Sequence, residues 1–307
     1  MTHFTRDTIS IPSVDLDVEL SVWLYKPTTS SGPFPVVVAA HGFTLIKDAG
    51  LAVFGEEWAS VGWASLIFDY RGFGDSGSNP QDKSVVSIKR QQEDYRTVIR
   101  WARATEQDSL FKKDTVVVMG SAMSGLHAAE VASNEVGIAG VMAHCPLLDG
   151  FKLFSAVPED PQFLDLVAKD CERARNGDKP LFIPAVGKTG EPAFLNSPDT
   201  WGGFTAMYAQ GATAFSDAPN LFAPRVVTEL MSSRPMLKLN GTKIPILIIM
   251  AAEDDLIPRA LTEEIAAQTT ANIKLVVSPG GHFDVMKGGK GFETNITAQL
   301  GFLNSIA

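Results

Sequence analysis

Short blocks of apolar residues alternate with amphipathic stretches along most of this chain. Between Asp7 and Lys26 the period is two: Thr8 and Ser10, then Val18, Leu20, Val22 and Leu24, predict two antiparallel strands around a turn at Pro12 and Ser13. Residues 36–40 are continuously apolar and stop at His41-Gly42, the pattern of a strand buried on both faces. Further largely apolar strands are expected at 63–68, 115–119, 138–143 and 246–250, and another strand at 273–277. Helical spacing fills the intervals. It covers 51–61, with Phe54 and Trp58 one turn apart, and 84–104, where Val85, Ile88, Tyr95, Val98, Ile99 and Ala102 share a face. Further helices are expected from Ser124 through Ala132, from Thr262 to about Thr270 and from Phe292 to Ile306. Such alternation predicts an α/β fold with a mostly parallel central sheet and helices on both faces.

From 147 to 241 the alternation is lost. Pro, Gly and aromatic residues such as Phe154, Phe163, Phe194, Trp201 and Tyr208 are scattered through this stretch. It reads as a mainly helical cap over the sheet, inserted between two parts of one core, 1–146 and 242–307. A chain of 307 residues has room for that arrangement. Two cysteines, Cys145 and Cys171, imply no disulfide framework. A net charge of −9 without a basic run argues against nucleic acid and anionic membranes as partners. The start of the chain lacks the basic and apolar regions of a signal peptide, and the apolar run 244–252 is too short for a bilayer span. A cytoplasmic protein is expected, and a homodimer is compatible with the chain.

Ligands of open parallel sheets bind at the carboxyl ends of the strands, and the unusual residues lie there. Strand 115–119 runs into Gly120-Ser121-Ala122-Met123-Ser124-Gly125 and then a helix. A strand, a Gly-x-Ser-x-Gly turn and a helix form a nucleophile elbow, tight enough to need small residues two before and two after its centre. Gly120 and Ser124 satisfy that rule around Ala122, so the centre of the motif lacks only the hydroxyl oxygen. Centring on Ser121 puts Met119 and Met123 at the small positions, and centring on Ser124 puts Leu126 at one of them and the nucleophile inside the helix. A plain strand–helix turn with small residues is the remaining alternative.

One oxyanion donor would be the Met123 N–H, at a helix N-terminus whose dipole favours developing negative charge. The other would come from His41-Gly42-Phe43, with Phe43 N–H the candidate and His41 structural. His282, in Pro279-Gly280-Gly281-His282 after the last strand, is the candidate general base. His3, His127 and His144 are weaker. The acid should follow strand 246–250, where Asp254 is preferred for its position four before Pro258, with Asp255 second and Asp149 outside that loop. His144 and Cys145, beside the elbow, and Trp201 and Tyr208, in the insertion, are expected to contact substrate.

These pieces resemble the α/β-hydrolase superfamily over nearly the whole chain. They are Ala40-His41-Gly42, Phe68-Asp69-Tyr70-Arg71-Gly72-Phe73-Gly74-Asp75-Ser76-Gly77, the elbow, Asp254 with Pro258, and Gly280-Gly281-His282-Phe283. Gly-Ser-x-Met-Ser-Gly followed by His127, and Cys145-Pro146-Leu147-Leu148-Asp149-Gly150, resemble the dienelactone-hydrolase-like and polyketide transferase group. The resemblance implies a serine where Ala122 stands. The other site residues are intact, which favours an introduced Ser→Ala change that traps substrate over an eroded pseudo-enzyme. The function implied is hydrolysis of a hydrophobic ester or lactone through an acyl-enzyme, blocked or nearly so by Ala122. Acyl transfer of a polyketide group to an alcohol, carbon–carbon hydrolysis and non-catalytic ligand binding are the alternatives. The substrate would be a small hydrophobic ester, lactone or thioester. No metal or organic cofactor is expected.

Overall fold

The computed structural model describes residues 3–156 and 160–306. Its first two strands, β1 (Phe4–Pro12) and β2 (Glu19–Pro27), pair antiparallel from Phe4 opposite Pro27 to Pro12 opposite Glu19. The parallel system follows: β3 (Phe34–Ala40), α1 (Ala52–Ser60), β4 (Ala64–Phe68), α2 (Ile88–Ala102), β5 (Phe111–Ser121), α3 (Met123–Asn134) and β6 (Ile138–His144). Every residue of β3 and β4 is buried, Ser65 the one polar side chain among them, as expected of strands covered on both faces.

The chain then leaves the sheet through α4 (Gly150–Ser155), α5 (Pro161–Arg175), β7 (Ile183–Pro184), α6 (Thr200–Tyr208), β8 (Leu221–Phe222) and α7 (Val226–Met231). β7 and β8 form a small antiparallel ladder of their own. The sheet resumes with β9 (Ile246–Ala251), α8 (Arg259–Ala267), β10 (Ile273–Ser278) and α9 (Phe292–Ile306). The eight-stranded sheet has the order β1-β2-β4-β3-β5-β6-β9-β10, antiparallel only where β2 meets β1 and β4. β5 therefore lies mid-sheet, and the loops after β3, β5, β6, β9 and β10 share one edge.

The pattern misplaced α8 by three residues. Pro258 has φ −53°, ready for helix entry, so the helix starts at Arg259, before the apolar periodicity at Leu261 becomes visible. It also ends early, because the Thr269 hydroxyl bonds Asn240 Oδ1 and the Thr270 hydroxyl accepts the Gly241 N–H. Among the described residues no helix is long and apolar enough to cross a membrane.

Candidate active site

β5 turns into α3 at Ala122, whose φ of 48° and ψ of −117° are unusual for a residue with a side chain. Such backbone costs about 1–3 kcal/mol and persists only when its surroundings hold it. Three hydrogen bonds hold it here. Ala122 N–H donates to His144 O at 3.1 Å, and Ala122 O accepts from Leu147 N at 3.0 Å and Gly125 N at 2.9 Å. A Cβ on Gly120 would sit 2.1 Å from Ser124 O, and one on Gly125 2.4 Å from Pro146 Cβ, so the turn closes only around glycines.

The neighbouring serines point elsewhere. Ser124, fully buried, bonds the Tyr70 hydroxyl at 2.5 Å and the Tyr95 hydroxyl at 2.8 Å. Ser121 Oγ lies 2.8 Å from His144 Nε2. The direction of that bond follows from Asn295. Its Nδ2 donates to Val285 O at 2.9 Å and its Oδ1 accepts from Gln299 at 2.7 Å, so Nδ2 also faces His144 Nδ1, at 3.2 Å. His144 Nδ1 is then an acceptor, and its proton sits on Nε2 and is donated to Ser121. Burial keeps this ring neutral, pushing its pKa down to about 3.

His282 approaches from the loop after β10. Its Nδ1 lies 3.0 and 2.9 Å from the two carboxylate oxygens of Asp254. Asp254 Oδ1 also accepts the N–H groups of Leu256 and Ile257, at 3.0 and 2.8 Å, which fixes the carboxylate toward the ring. Asp255 instead accepts the Asp199 N–H at 3.4 Å. Asp149 caps α4 through Lys152 N and pairs with Arg234 at 2.9 Å, away from His282. His282 Nε2 has no hydrogen-bond partner among the described residues, and the ring borders a cavity together with Ala122.

Phe43 and Met123 border the same cavity, and neither N–H bonds another described residue. Gly42 packs against the elbow: a Cβ there would lie 3.3 Å from Ala122 Cβ. His41 is buried, and burial pushes its pKa down to about 4; its Nδ1 lies 3.0 Å from Gly42 O. Sequence reasoning missed Lys47. Its buried ammonium meets Asp69 at 2.6 Å, Asp75 at 2.9 Å and the Ser21 hydroxyl at 3.1 Å, and its N–H donates to Asp69 at 2.7 Å. This binds the Phe43 loop to the Asp69–Asp75 turn. A lone lysine in an apolar loop, with two aspartates in a glycine-rich turn, was the signal available.

The cavity has a volume of about 510 Å³. Of the described residues lining it Ser155, Asp160 and His282 are polar, and none is lysine or arginine. Phe194 forms its aromatic centre, 5.4 Å from Phe43, 5.6 Å from Phe163 and 6.3 Å from Phe154 between ring centroids. The four residues expected to contact substrate do not line it. Trp201 and Tyr208 pack on Phe215, at 5.2 and 5.4 Å. His144 is held behind the elbow by Ser121 and Asn295. Cys145 is buried beside Asp254, and burial, with that charge nearby, pushes its thiol well above the ordinary range.

Cys145, Asp254 and His282 are the one cluster of three or more His, Cys, Asp or Glu side chains among the described residues whose donor atoms all lie within 4.8 Å of one another. Two of the three already spend facing donors on each other, and the third is held as a neutral thiol.

An elbow at the centre of a parallel sheet, with a histidine–carboxylate pair on later loops, defines the class. The chain belongs to the alpha/beta hydrolase family, whose model matches residues 37–288. It is 32% identical over 294 residues to the quorum-quenching protein AidA of Acinetobacter baumannii (strain MDR-ZJ06), covering 94% of this chain and 92% of that protein. It is 25% identical over 192 residues to the polyketide transferase grgF of a Penicillium species, covering 62% and 61% of the two chains. The crystal structure of the alpha/beta hydrolase GrgF from Penicillium sp. sh18 superposes with a TM-score of 0.78 at 20% identity, over 98% of this chain and 99% of that one.

Proposed function

We propose that this site hydrolyses a hydrophobic ester or lactone through an acyl-enzyme when residue 122 is serine, and that Ala122 removes most of that activity. The observation carrying this reading is the His282–Asp254 pair opening beside residue 122 on an apolar cavity. In the serine form His282 Nε2 takes the hydroxyl proton as the oxygen attacks the acyl carbon. The N–H groups of Phe43 and Met123 receive the oxyanion. The leaving alkoxide takes the proton back, and water repeats the sequence to release the acid. Asp254 keeps the ring's proton on Nδ1 and stabilises the imidazolium. The intact partners support a substituted enzyme over an eroded one.

The wall chemistry supports a neutral, apolar acyl group, since no lysine or arginine among the described wall residues could hold an anionic one. Acyl transfer to an alcohol uses the same residues and is supported by the likeness to a polyketide transferase. Ala122 itself supports a second reading, ligand binding without turnover. Ala122→Ser separates the two. The variant should hydrolyse nitrophenyl hexanoate or dihydrocoumarin and be labelled at residue 122 by a fluorophosphonate. A variant with neither property would sink the enzyme reading.

A further inference from the structure

We infer that the chain, with Ala122 as it stands, is itself a slow hydrolase in which His282 drives water directly onto the acyl carbon, so that no acyl-enzyme forms. This rests on the acyl-hydrolysis reading of the site. Three observations carry it beyond that reading.

The base is ready without a serine. His282 is only 7% exposed, its Nδ1 is tied to Asp254, and its Nε2 is unpartnered among the described residues at the wall of an open cavity. In a serine form the hydroxyl at 122 would take that nitrogen first. With a methyl group there, the nearest proton donor available to Nε2 is a solvent or substrate group inside the cavity.

The electrophilic half of the site does not depend on the missing hydroxyl. The direction of the Met123 N–H follows from the backbone of residue 122, and that backbone is fixed by main-chain bonds to His144, Leu147 and Gly125. The Phe43 loop is fixed independently, through Lys47 and Asp69. Preorganised donors of this kind stabilise the oxyanion whichever nucleophile produced it.

Nearby nucleophiles are committed elsewhere. Ser121 receives the Nε2 proton of His144 and so has no base. Ser124 is fully buried between two tyrosines. Cys145 is a buried neutral thiol outside the cavity wall. Ser155 and Asp160, the other oxygen-bearing side chains on the described wall, make no hydrogen bond to His282, and Asp160 caps α5 through the Gln162 N–H, so water is the nucleophile assigned to that base.

The step balances without any co-reactant. A water O–H bond breaks and its proton moves to His282 Nε2. The water oxygen bonds the acyl carbon, and the carbonyl π pair moves onto the oxygen facing Phe43 and Met123. On collapse the acyl–oxygen bond breaks and the leaving alkoxide takes the proton from the imidazolium. Ester and water become acid and alcohol in a single displacement.

The test compares Ala122, Ala122→Ser and Ala122 with His282→Gln on nitrophenyl hexanoate and dihydrocoumarin. The Ala122 chain should exceed the buffer rate while running about 10³- to 10⁶-fold below the serine form. Fluorophosphonate pretreatment should leave its rate unchanged, and acid quenching should trap no acyl adduct. His282→Gln should lower its rate about 10²-fold or to background. Should that variant fail to fold, Asp254→Asn and a normal solvent deuterium isotope effect on the Ala122 chain serve instead. An active serine form beside an Ala122 chain with no His282-dependent rate would overturn this inference and leave the site reading standing. A silent serine form would overturn both.

Discussion

Residue 122 has a backbone conformation that its own methyl group does not require. The conformation comes from Gly120, whose missing side chain lets Ser124 O approach, and from the bonds to His144 and Leu147. Gly120→Ala should therefore destabilise the fold by about 1–3 kcal/mol or more, seen as a lower thermal midpoint. In the Ala122→Ser background it should also slow fluorophosphonate labelling, because the elbow must open to admit the new Cβ. The carboxylates make a second case. Asp254→Asn in that background should cost about 10⁴-fold in kcat by reversing the ring's tautomer. Asp255→Asn and Asp149→Asn should each cost less than about ten-fold, since neither touches His282. Equal losses at Asp254 and Asp255 would contradict the geometry. The pairing of Asp254 with His282 was legible in the sequence because each residue follows a recognisable buried strand, and strand ends are where a parallel sheet gathers side chains. The reason for Asp254 over Asp255 lay in the turn, where the Leu256 and Ile257 N–H groups cradle only the former.

Elements that frame the cavity were less legible than those of the sheet. Apolar runs mark β3, β4, β6 and the inner half of β5 from Val116 to Met119, because burial on both faces leaves few polar positions. The insertion has no such rule, since short helices bury whichever face their neighbours leave open. Trp201 and Tyr208 thus turn to Phe215, while Phe194, on an irregular stretch between β7 and α6, turns inward. Phe194→Ala in the Ala122→Ser background should remove about 1.5–3 kcal/mol of contact with a hydrophobic acyl chain. That corresponds to a ten- to hundred-fold fall in kcat/KM for hexanoyl esters, with acetyl esters nearly unaffected. Equal loss for both chain lengths would place the acyl group elsewhere. The loop after β3 depends on an interaction no periodicity reports. Lys47 is buried with Asp69, and truncating one partner strands the other charge. Lys47→Met should cost about 3–5 kcal/mol in denaturant melts.

Across the whole molecule, three buried histidines impose a direction on its response to acid. His41, His127 and His144 lie behind the strand ends, and burial pushes them down to about 4, 3 and 3. Among the described residues His127 hydrogen-bonds Gln91 alone, at 2.9 Å, and its Nδ1 meets no acceptor. Unfolded, each would titrate near 6.5. Between about pH 6.5 and 4 the unfolded chain therefore binds up to three protons that the folded chain refuses, and stability falls as pH falls through that window. Asp94 acts in the opposite sense: burial, outweighing its partner Arg71, pushes its carboxyl up to about 7, so its contribution grows as pH falls. The net difference is about two protons, each contributing about 1.4 kcal/mol per pH unit. Urea melts at pH 7, 6 and 5 should show that decline, and His127→Gln should make it shallower by one proton. A midpoint constant from pH 7 to 5 would mean that these rings take up protons inside the fold as readily as in the unfolded chain.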